Sequence, residues 1–306
     1  MIPKESFLTG LIAAPFTPMR QNGKVNISKI QAYADHIAAH GCVNGVFICG
    51  STGEYATTTV AERKAVAEAW VKAVAGRYKV IVHVGSNCPG DSIELARHAQ
   101  SLGVFAIASI APNYFKPDTV DDLVAFFKPI AAAAPDTPFY YYNFPAMSGV
   151  RLSVKKFLLK GKEEIPTLAG VKFTHNDFME MQEIINLNDG EFNILHGFDE
   201  VLIAGLACGA KGAVGSTYNY IPKVYQNVLD AMAKGDLDTA RKWQMEAVRI
   251  LDVVIAHGGG TRGGKALMKL AGVDCGQCRY PITPISRKEM KQIEEELSRT
   301  SFYQMI

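Results

Sequence analysis

Short, continuous apolar runs rich in β-branched and aromatic residues recur along the chain, each followed by a segment of helical periodicity. The runs cover residues 8–14, 45–49, 79–84, 105–110, 138–142, 168–173, 193–196 and 212–215. Continuous apolarity, rather than strict alternation, predicts parallel strands covered on both faces. Between them, Thr59-Val-Ala-Glu62 and Asp91-Ser-Ile-Glu94 read as capping boxes, and Asp177-Phe-Met-Glu180 as a third. Gly41, Gly76 and Gly103 fall where helices should stop. This alternation predicts an α/β fold, a closed (β/α)8 TIM barrel over residues 1–220. An open doubly wound sheet is the competitor, but the first βα turn shows no G-x-G-x-x-G. Beyond the barrel only helical patterns follow, at 222–234, 238–257, 264–271 and 287–298, predicting a C-terminal helical extension over 221–306 packed on the barrel.

One polar residue interrupts the apolar pattern. Lys172 lies within Leu168-Ala-Gly-Val-Lys172-Phe-Thr174, and an ammonium in a buried strand is costly unless it is paired, neutralised or used. Burial also lowers a lysine's pKa readily, which makes a nucleophilic amine available near neutral pH. The bland alternative is a rim lysine paired with a carboxylate. In a barrel, however, chemistry sits where strands end, and other polar residues fall there. Tyr142 ends the fifth run, Ser51 and Thr52 follow the second, and Asp199 and Ser216 follow the seventh and eighth. Their convergence favours a functional lysine. Gly50-Ser-Thr-Gly-Glu54 reads either as an ordinary turn or as a carboxylate cradle of backbone N–H groups and hydroxyls. Tyr142, in Tyr140-Tyr-Tyr142-Asn-Phe-Pro145, is core packing or, if Ser51 reaches it, a proton relay. A buried lysine, a strand-end tyrosine and a hydroxyl-rich glycine turn are the parts of a Schiff-base enzyme.

Composition narrows the setting. The chain has 306 residues, 48% hydrophobic and 20% charged, enough for one large domain or two medium ones. A net charge of +2 gives no bulk electrostatic case for nucleic acid or membrane. No apolar run reaches spanning length, and the start, Met1-Ile-Pro-Lys-Glu-Ser6, does not read as a leader, so a cytoplasmic location is expected. Six scattered cysteines argue against a disulfide framework, and Cys275-Gly-Gln-Cys278 has zinc or redox spacing but no second pair.

Two further features are set aside. From Gly259 the run Gly258-Gly-Gly-Thr-Arg-Gly-Gly-Lys265-Ala266 fits G-x-x-x-x-G-K, but Ala266 stands where a magnesium-binding Ser or Thr is needed. It also follows a helical rather than a strand pattern, so a flexible helix–helix joint is expected. His83, His175 and His196 lack metal-ligand spacing and read as satisfied core or rim histidines, so no metal is expected.

Four ordered motifs, Gly50-Ser-Thr-Gly-Glu54, Tyr142-Asn-x-Pro145, Gly170-Val-Lys172 and residues 212–216, carry a resemblance over nearly the whole chain. They resemble the dihydrodipicolinate synthase/N-acetylneuraminate lyase superfamily. Within it the chain is most similar to the lyase branch: Met147 stands where the synthases carry an arginine for a second carboxylate. Lys172-Phe-Thr174, His196-Gly-Phe-Asp-Glu200 and Gly215-Ser-Thr-Tyr-Asn219 also look lyase-like. The resemblance implies reversible cleavage of N-acetylneuraminate, a sialic acid, to N-acetylmannosamine and pyruvate, with no cofactor. It implies Lys172 as the Schiff-base amine, Tyr142 as the proton-transferring phenol, and Ser51 as the link from Tyr142 to the partner subunit's Tyr114 in a homotetramer. Ser51 and Thr52 would hold the pyruvoyl carboxylate, and Thr174, Gly197, Asp199, Glu200 and Ser216 the polyol chain. Thr261 stands where a bacterial lyase can place an aromatic beside the acetamido group. The competing readings are another pyruvate-dependent aldolase acting on a 2-keto-3-deoxy sugar acid, and a non-catalytic sugar-acid binding protein.

Overall fold

Eight strands close in sequence order into a parallel barrel in a computed structural model, which describes residues 3–306. Met1 and Ile2, the start of the segment read for a leader, lie outside the described residues. The strands are β1 Gly10–Ala13, β2 Val43–Ile48, β3 Lys79–His83, β4 Ala106–Ile110, β5 Phe139–Asn143, β6 Leu168–Phe173, β7 Asn193–His196 and β8 Gly212–Gly215. The last returns to pair with the first. The helices are α1 Ile30–Ala39, α2 Val60–Val74, α3 Pro89–Ser101, α4 Val120–Ala132, α5 Pro145–Ser148, α6 Val154–Glu164, α7 Phe178–Ile185 and α8 Leu202–Ala207. After β8 come α9 Pro222–Ala233, α10 Leu237–Ala256, α11 Gly259–Leu270, α12 Arg287–Leu297 and α13 Phe302–Met305. Among the described residues no helix is long and apolar enough to cross a membrane.

Continuous strand apolarity is explained by two cores, one on each face of the sheet. Leu11, Val46, Val82, Tyr141, Val171 and Phe173 point outward into the layer beneath the helices. Ile12, Phe47, Ile81, Ala108, Tyr140, Tyr142, Leu195 and Val214 fill the barrel interior. The β5–β6 register skips Ala169, a bulge that pairs Tyr140 with Gly170 and Tyr142 with Lys172. Gly170 is obligatory there, because a Cβ would stand 1.9 Å from the Asn193 carbonyl oxygen. Lys172 is thereby set on the inward face, beside Tyr142.

The capping signals fare unevenly. Thr59 and Glu62 form the reciprocal box that starts α2. Asp177 caps α7 by accepting from Glu180 N at 2.9 Å, but Glu180 turns away to accept from Ser153 Oγ and Val154 N, serving α6 instead. Asp91 is no cap: α3 begins earlier at Pro89, whose fixed φ suits the first helical position. Thr119 with Asp122 and Ser286 with Glu289 form boxes of their own. Gly41, Gly76 and Gly103 all take positive φ just beyond helix ends, as expected.

The glycine-rich run is not a flexible joint. Gly258 and Gly259 are both left-handed at the junction, at φ 95° and 75°, and α11 starts at Gly259. Its glycines allow close packing: a Cβ on Gly263 would lie 2.4 Å from the Val254 carbonyl oxygen of α10, and one on Gly264 would lie 2.7 Å from the Phe16 ring. Lys265 points into the protein and meets Glu54 at 2.5 Å, with both side chains buried. The other Glu54 oxygen accepts from Arg279 N at 2.8 Å, while the Arg279 guanidinium bonds Glu62 and the Thr57 carbonyl. The C-terminal segment thus grips the turn after β2. Replacing Lys265 by methionine leaves the Glu54 charge buried without its cation and should cost about 3–5 kcal/mol in urea unfolding. Adding Glu54→Gln should recover much of that loss, and a double-mutant cycle showing no coupling would refute the pairing.

Candidate active site

The C-terminal strand ends bring together most of the polar residues singled out above. Lys172 on β6 is 5% exposed and Tyr142 on β5 is 3% exposed, side by side in register. The Lys172 ammonium nitrogen stands 4.1 Å from the Tyr142 ring centroid and 4.3 Å from that of Phe47. Aromatic faces supply some electrostatic attraction but little solvation. Burial therefore lowers the Lys172 pKa to about 7, with the negative charge of Asp199 opposing the shift. The result is an amine substantially neutral at physiological pH, as a nucleophile requires. The same burial raises the Tyr142 phenol above its ordinary value, partly offset by its hydrogen bond with Ser51.

Ser51 Oγ lies 3.4 Å from Tyr142 Oη, where either can donate. Ser51 and Thr52 sit on the turn after β2, between two non-glycine residues in the left-handed region, Cys49 at φ 56° and Glu54 at φ 57°. Such backbone costs energy and persists only where its surroundings hold it. Here the holders are visible. His83 Nδ1 bonds the Cys49 carbonyl at 2.9 Å, Thr17 Oγ1 donates to the Gly53 carbonyl at 2.6 Å, and Lys265 holds Glu54. His83 in turn accepts from Ile110 N at 3.2 Å, so it is a satisfied neutral histidine, with its pKa pushed down by burial. The buried Arg63 donates to the carbonyls of His83 and Gly85.

On the other side of Lys172 lie Thr174, Gly197, Asp199, Glu200 and Ser216. Backbone bonds run Thr174 N to the Asn143 carbonyl and Gly197 N to the Phe173 carbonyl, extending the barrel past its strands. Gly197 has no room for a side chain, since a Cβ would lie 2.0 Å from Thr174 Oγ1. A Cβ on Gly215 would likewise collide with the Asp199 carboxylate at 2.6 Å. Asp199 is 6% exposed, and its Oδ2 accepts from Thr217 N at 2.8 Å and Thr217 Oγ1 at 2.6 Å. Burial, then the neighbouring Asp199, raises the Glu200 pKa to about 7. Glu200 Oε2 is buried with no hydrogen-bond partner among the described residues, and the Thr174 hydroxyl lies near the Tyr142 phenol, where it favours the ionised form. Two acids and two hydroxyls close to a buried amine suit a neutral, hydroxyl-rich ligand.

Some expectations fall outside this cluster. Tyr114, on the β4–α4 loop, is 79% exposed, packs on Phe115 at 5.0 Å and does not meet Ser51 within the chain. His196 is buried and stacked on Phe178, and burial lowers its pKa. His175 packs edge-on to Phe173. All six cysteines are free, and burial raises the Cys275 and Cys278 thiols to about 12 and 11. A cavity of about 350 Å³ lies elsewhere, bounded by Met19, Lys29, Arg262 and Cys278, and includes none of the clustered residues. Phe47, Thr217 and Gln244 were not singled out from the sequence. Phe47 reads as an ordinary strand apolar residue, and Thr217 falls inside the Gly215-Ser-Thr-Tyr-Asn219 run without a role of its own there. Gln244 lies in a helix far along the chain, with no local signal.

The chain matches the dihydrodipicolinate synthetase family over residues 7–300. It is 41% identical over 300 residues to N-acetylneuraminate lyase of Gallus gallus, covering 97% of each chain. Its fold superposes on the structure of Proteus mirabilis N-acetylneuraminate lyase with a TM-score of 0.94 at 40% identity, covering 97% of this chain and 99% of that one. A Ruminococcus gnavus sialic acid aldolase solved as its catalytic lysine mutant is similar at 31% identity, with a TM-score of 0.91 and 97% coverage of both.

Proposed function

The chain belongs to the dihydrodipicolinate synthetase family, and from that premise we infer that it is a class I aldolase cleaving N-acetylneuraminate reversibly to N-acetylmannosamine and pyruvate. The observation that carries the reading is the buried Lys172, with its pKa near 7, set against Tyr142 and flanked by the Asp199 and Glu200 turn.

In this reading the neutral Lys172 amine attacks the C2 ketone of the open-chain sugar, and the carbinolamine loses water to give a protonated imine. Tyr142, relayed by Ser51, takes the proton of the C4 hydroxyl. The C3–C4 bond breaks and its electron pair passes into the iminium, giving an enamine on Lys172 and free N-acetylmannosamine. Protonation at C3 restores the imine, and water releases pyruvate and the amine. Ser51 and Thr52 hold the pyruvoyl carboxylate through their hydroxyls and the turn's N–H groups. Thr174, Gly197, Asp199, Glu200 and Ser216 bind the polyol, with the Asp199 carboxylate pre-oriented by Thr217. Tyr114 belongs at the same relay from the partner subunit of a homotetramer, which its exposed ring would suit. A cytoplasmic location goes with this metabolic role.

The test compares the two halves of the site. Pyruvate release from N-acetylneuraminate should exceed that from 2-keto-3-deoxygluconate. Asp199→Asn should lower kcat/KM for N-acetylneuraminate by about ten- to a hundredfold, the loss of one or two charge-assisted hydrogen bonds. Imine formation with pyruvate, read by borohydride trapping and intact mass, should stay near the parent rate. Equal loss of both would remove the polyol assignment, and a preference for 2-keto-3-deoxygluconate would move the enzyme to the other aldolase reading.

A further inference from the structure

Gln244 lies on α10, outside the barrel and 45 residues beyond Asp199, yet it is 6% exposed and its whole amide is spent on one turn. Its Nε2 donates to the carbonyls of Asp199 and Glu200, each at 3.0 Å. Its Oε1 accepts from Ile203 N at 3.1 Å. The need is local. A single 3-10 turn, Asp199–Val201, runs directly into α8, whose N-cap position is Val201 and has no side-chain cap. The first N–H groups of a helix require acceptors, and Gln244 supplies one from a distant helix while tying down the two carbonyls before it.

We propose that Gln244 is a positioning residue that sets the Asp199–Glu200 turn for the polyol arm of the substrate; the inference rests on the aldolase reading given above. The two acids depend on it unequally. Asp199 is held twice, by Thr217 at its carboxylate and by Gln244 at its carbonyl. Glu200 has no hydrogen bond at its buried Oε2, and the Gln244 bond to its carbonyl holds the backbone from which its carboxyl projects. The pyruvate half of the site, Lys172, Tyr142, Ser51 and Thr52, stands on β6, β5 and the turn after β2 and makes no bond to Gln244. Gln244 thus supports the polyol half of the site from α10, whereas the turn of the pyruvate half is held separately, through Glu54 by Lys265.

Gln244→Leu keeps the volume and removes all three bonds. It should lower kcat/KM for N-acetylneuraminate about tenfold, leave the rate of borohydride-trapped imine formation with pyruvate unchanged, and speed amide hydrogen exchange in a peptide spanning 198–204 but not in one spanning 49–55. Leu251→Ala, a buried change two turns further along the same helix, serves as the control for general loosening. It should leave the ratio of cleavage to imine formation at the parent value. A Gln244→Leu enzyme with the parent ratio, or with both activities reduced together as in the control, overturns the proposal. A parent enzyme that traps pyruvate but does not cleave N-acetylneuraminate would instead sink the substrate reading. Exchange at 198–204 then decides separately whether Gln244 holds the turn, and unchanged exchange there refutes that too.

Discussion

Lys172→Met should yield no borohydride-trapped adduct with pyruvate and lower N-acetylneuraminate cleavage by at least about 10⁴-fold, because no other nucleophile can enter the covalent route. Methionine is the informative replacement, since its unbranched side chain fits between the Phe47 and Tyr142 rings without an amine. A trapped adduct surviving in this variant would show that another lysine forms the imine. The same residue sets two pH dependences. With its pKa near 7, the parent's imine formation should climb as pH passes through about 7 and level off above it, rather than climb towards the ordinary lysine range. Stability follows from the direction of the shift. The folded pKa lies below the unfolded one, so between about pH 7 and pH 10 the unfolded chain holds the extra proton and stability rises with pH. Below pH 7 both states are protonated, and the cost of the buried ammonium is present in full. Lys172→Met should therefore be more stable than the parent at pH 6, with the difference shrinking by pH 10. Urea titrations at the two pH values check this, and equal differences at both would contradict a depressed lysine.

How much of this was legible in the sequence depends on how local each signal is. The eight strands were readable because burial on both faces leaves uninterrupted apolar runs, and Lys172 stood out against one of them. Strand edges moved by a residue or two, since hydrogen-bonding partners rather than apolarity decide where pairing stops. Asp91 misled because the capping pattern is met by chance, while Pro89 had already fixed the helix start. The glycine run from Gly258 misled in the opposite way. Glycine lowers helix propensity, but α10 and Phe16 press so close to α11 that only glycine fits, and tertiary packing overrides propensity. The supports of the site were the least legible. Glu54 with Lys265, Asp199 with Thr217 and Gln244, and Cys49 with His83 join residues far apart in the chain, and each partner looks ordinary in its own neighbourhood.

Those supports share a plan. The turn after β2 is gripped through Glu54 by Lys265 of α11, and the turn after β7 is gripped through its carbonyls by Gln244 of α10. In the proposed reaction the first turn carries the carboxylate of pyruvate and the second the polyol. The C-terminal helices therefore brace both ends of the substrate against the same lysine.

Tyr142→Phe tests what stands between those ends. Removing the phenol oxygen deletes the proposed acid–base group but keeps the ring beside Lys172, so cleavage should fall by about 10²–10⁴-fold. Trapped imine with pyruvate should still form, more slowly, because attack and dehydration have lost their proton relay but not their nucleophile. The physical difficulty is that burial makes the free phenolate unfavourable. The imine resolves it. Once Lys172 carries the iminium charge over the ring, 4.1 Å from its centroid, that charge attracts the phenolate and draws the Tyr142 pKa back down. Tyr142 is then a weak base in the free enzyme and a competent one only after the covalent intermediate forms. Proton abstraction is in this way confined to substrate already bound to Lys172. Single-turnover measurements should show the variant accumulating the N-acetylneuraminate imine ahead of a slow cleavage step. A variant that forms the imine slowly but cleaves it at the parent rate would place the phenol in imine formation alone and leave the C4 hydroxyl to another base.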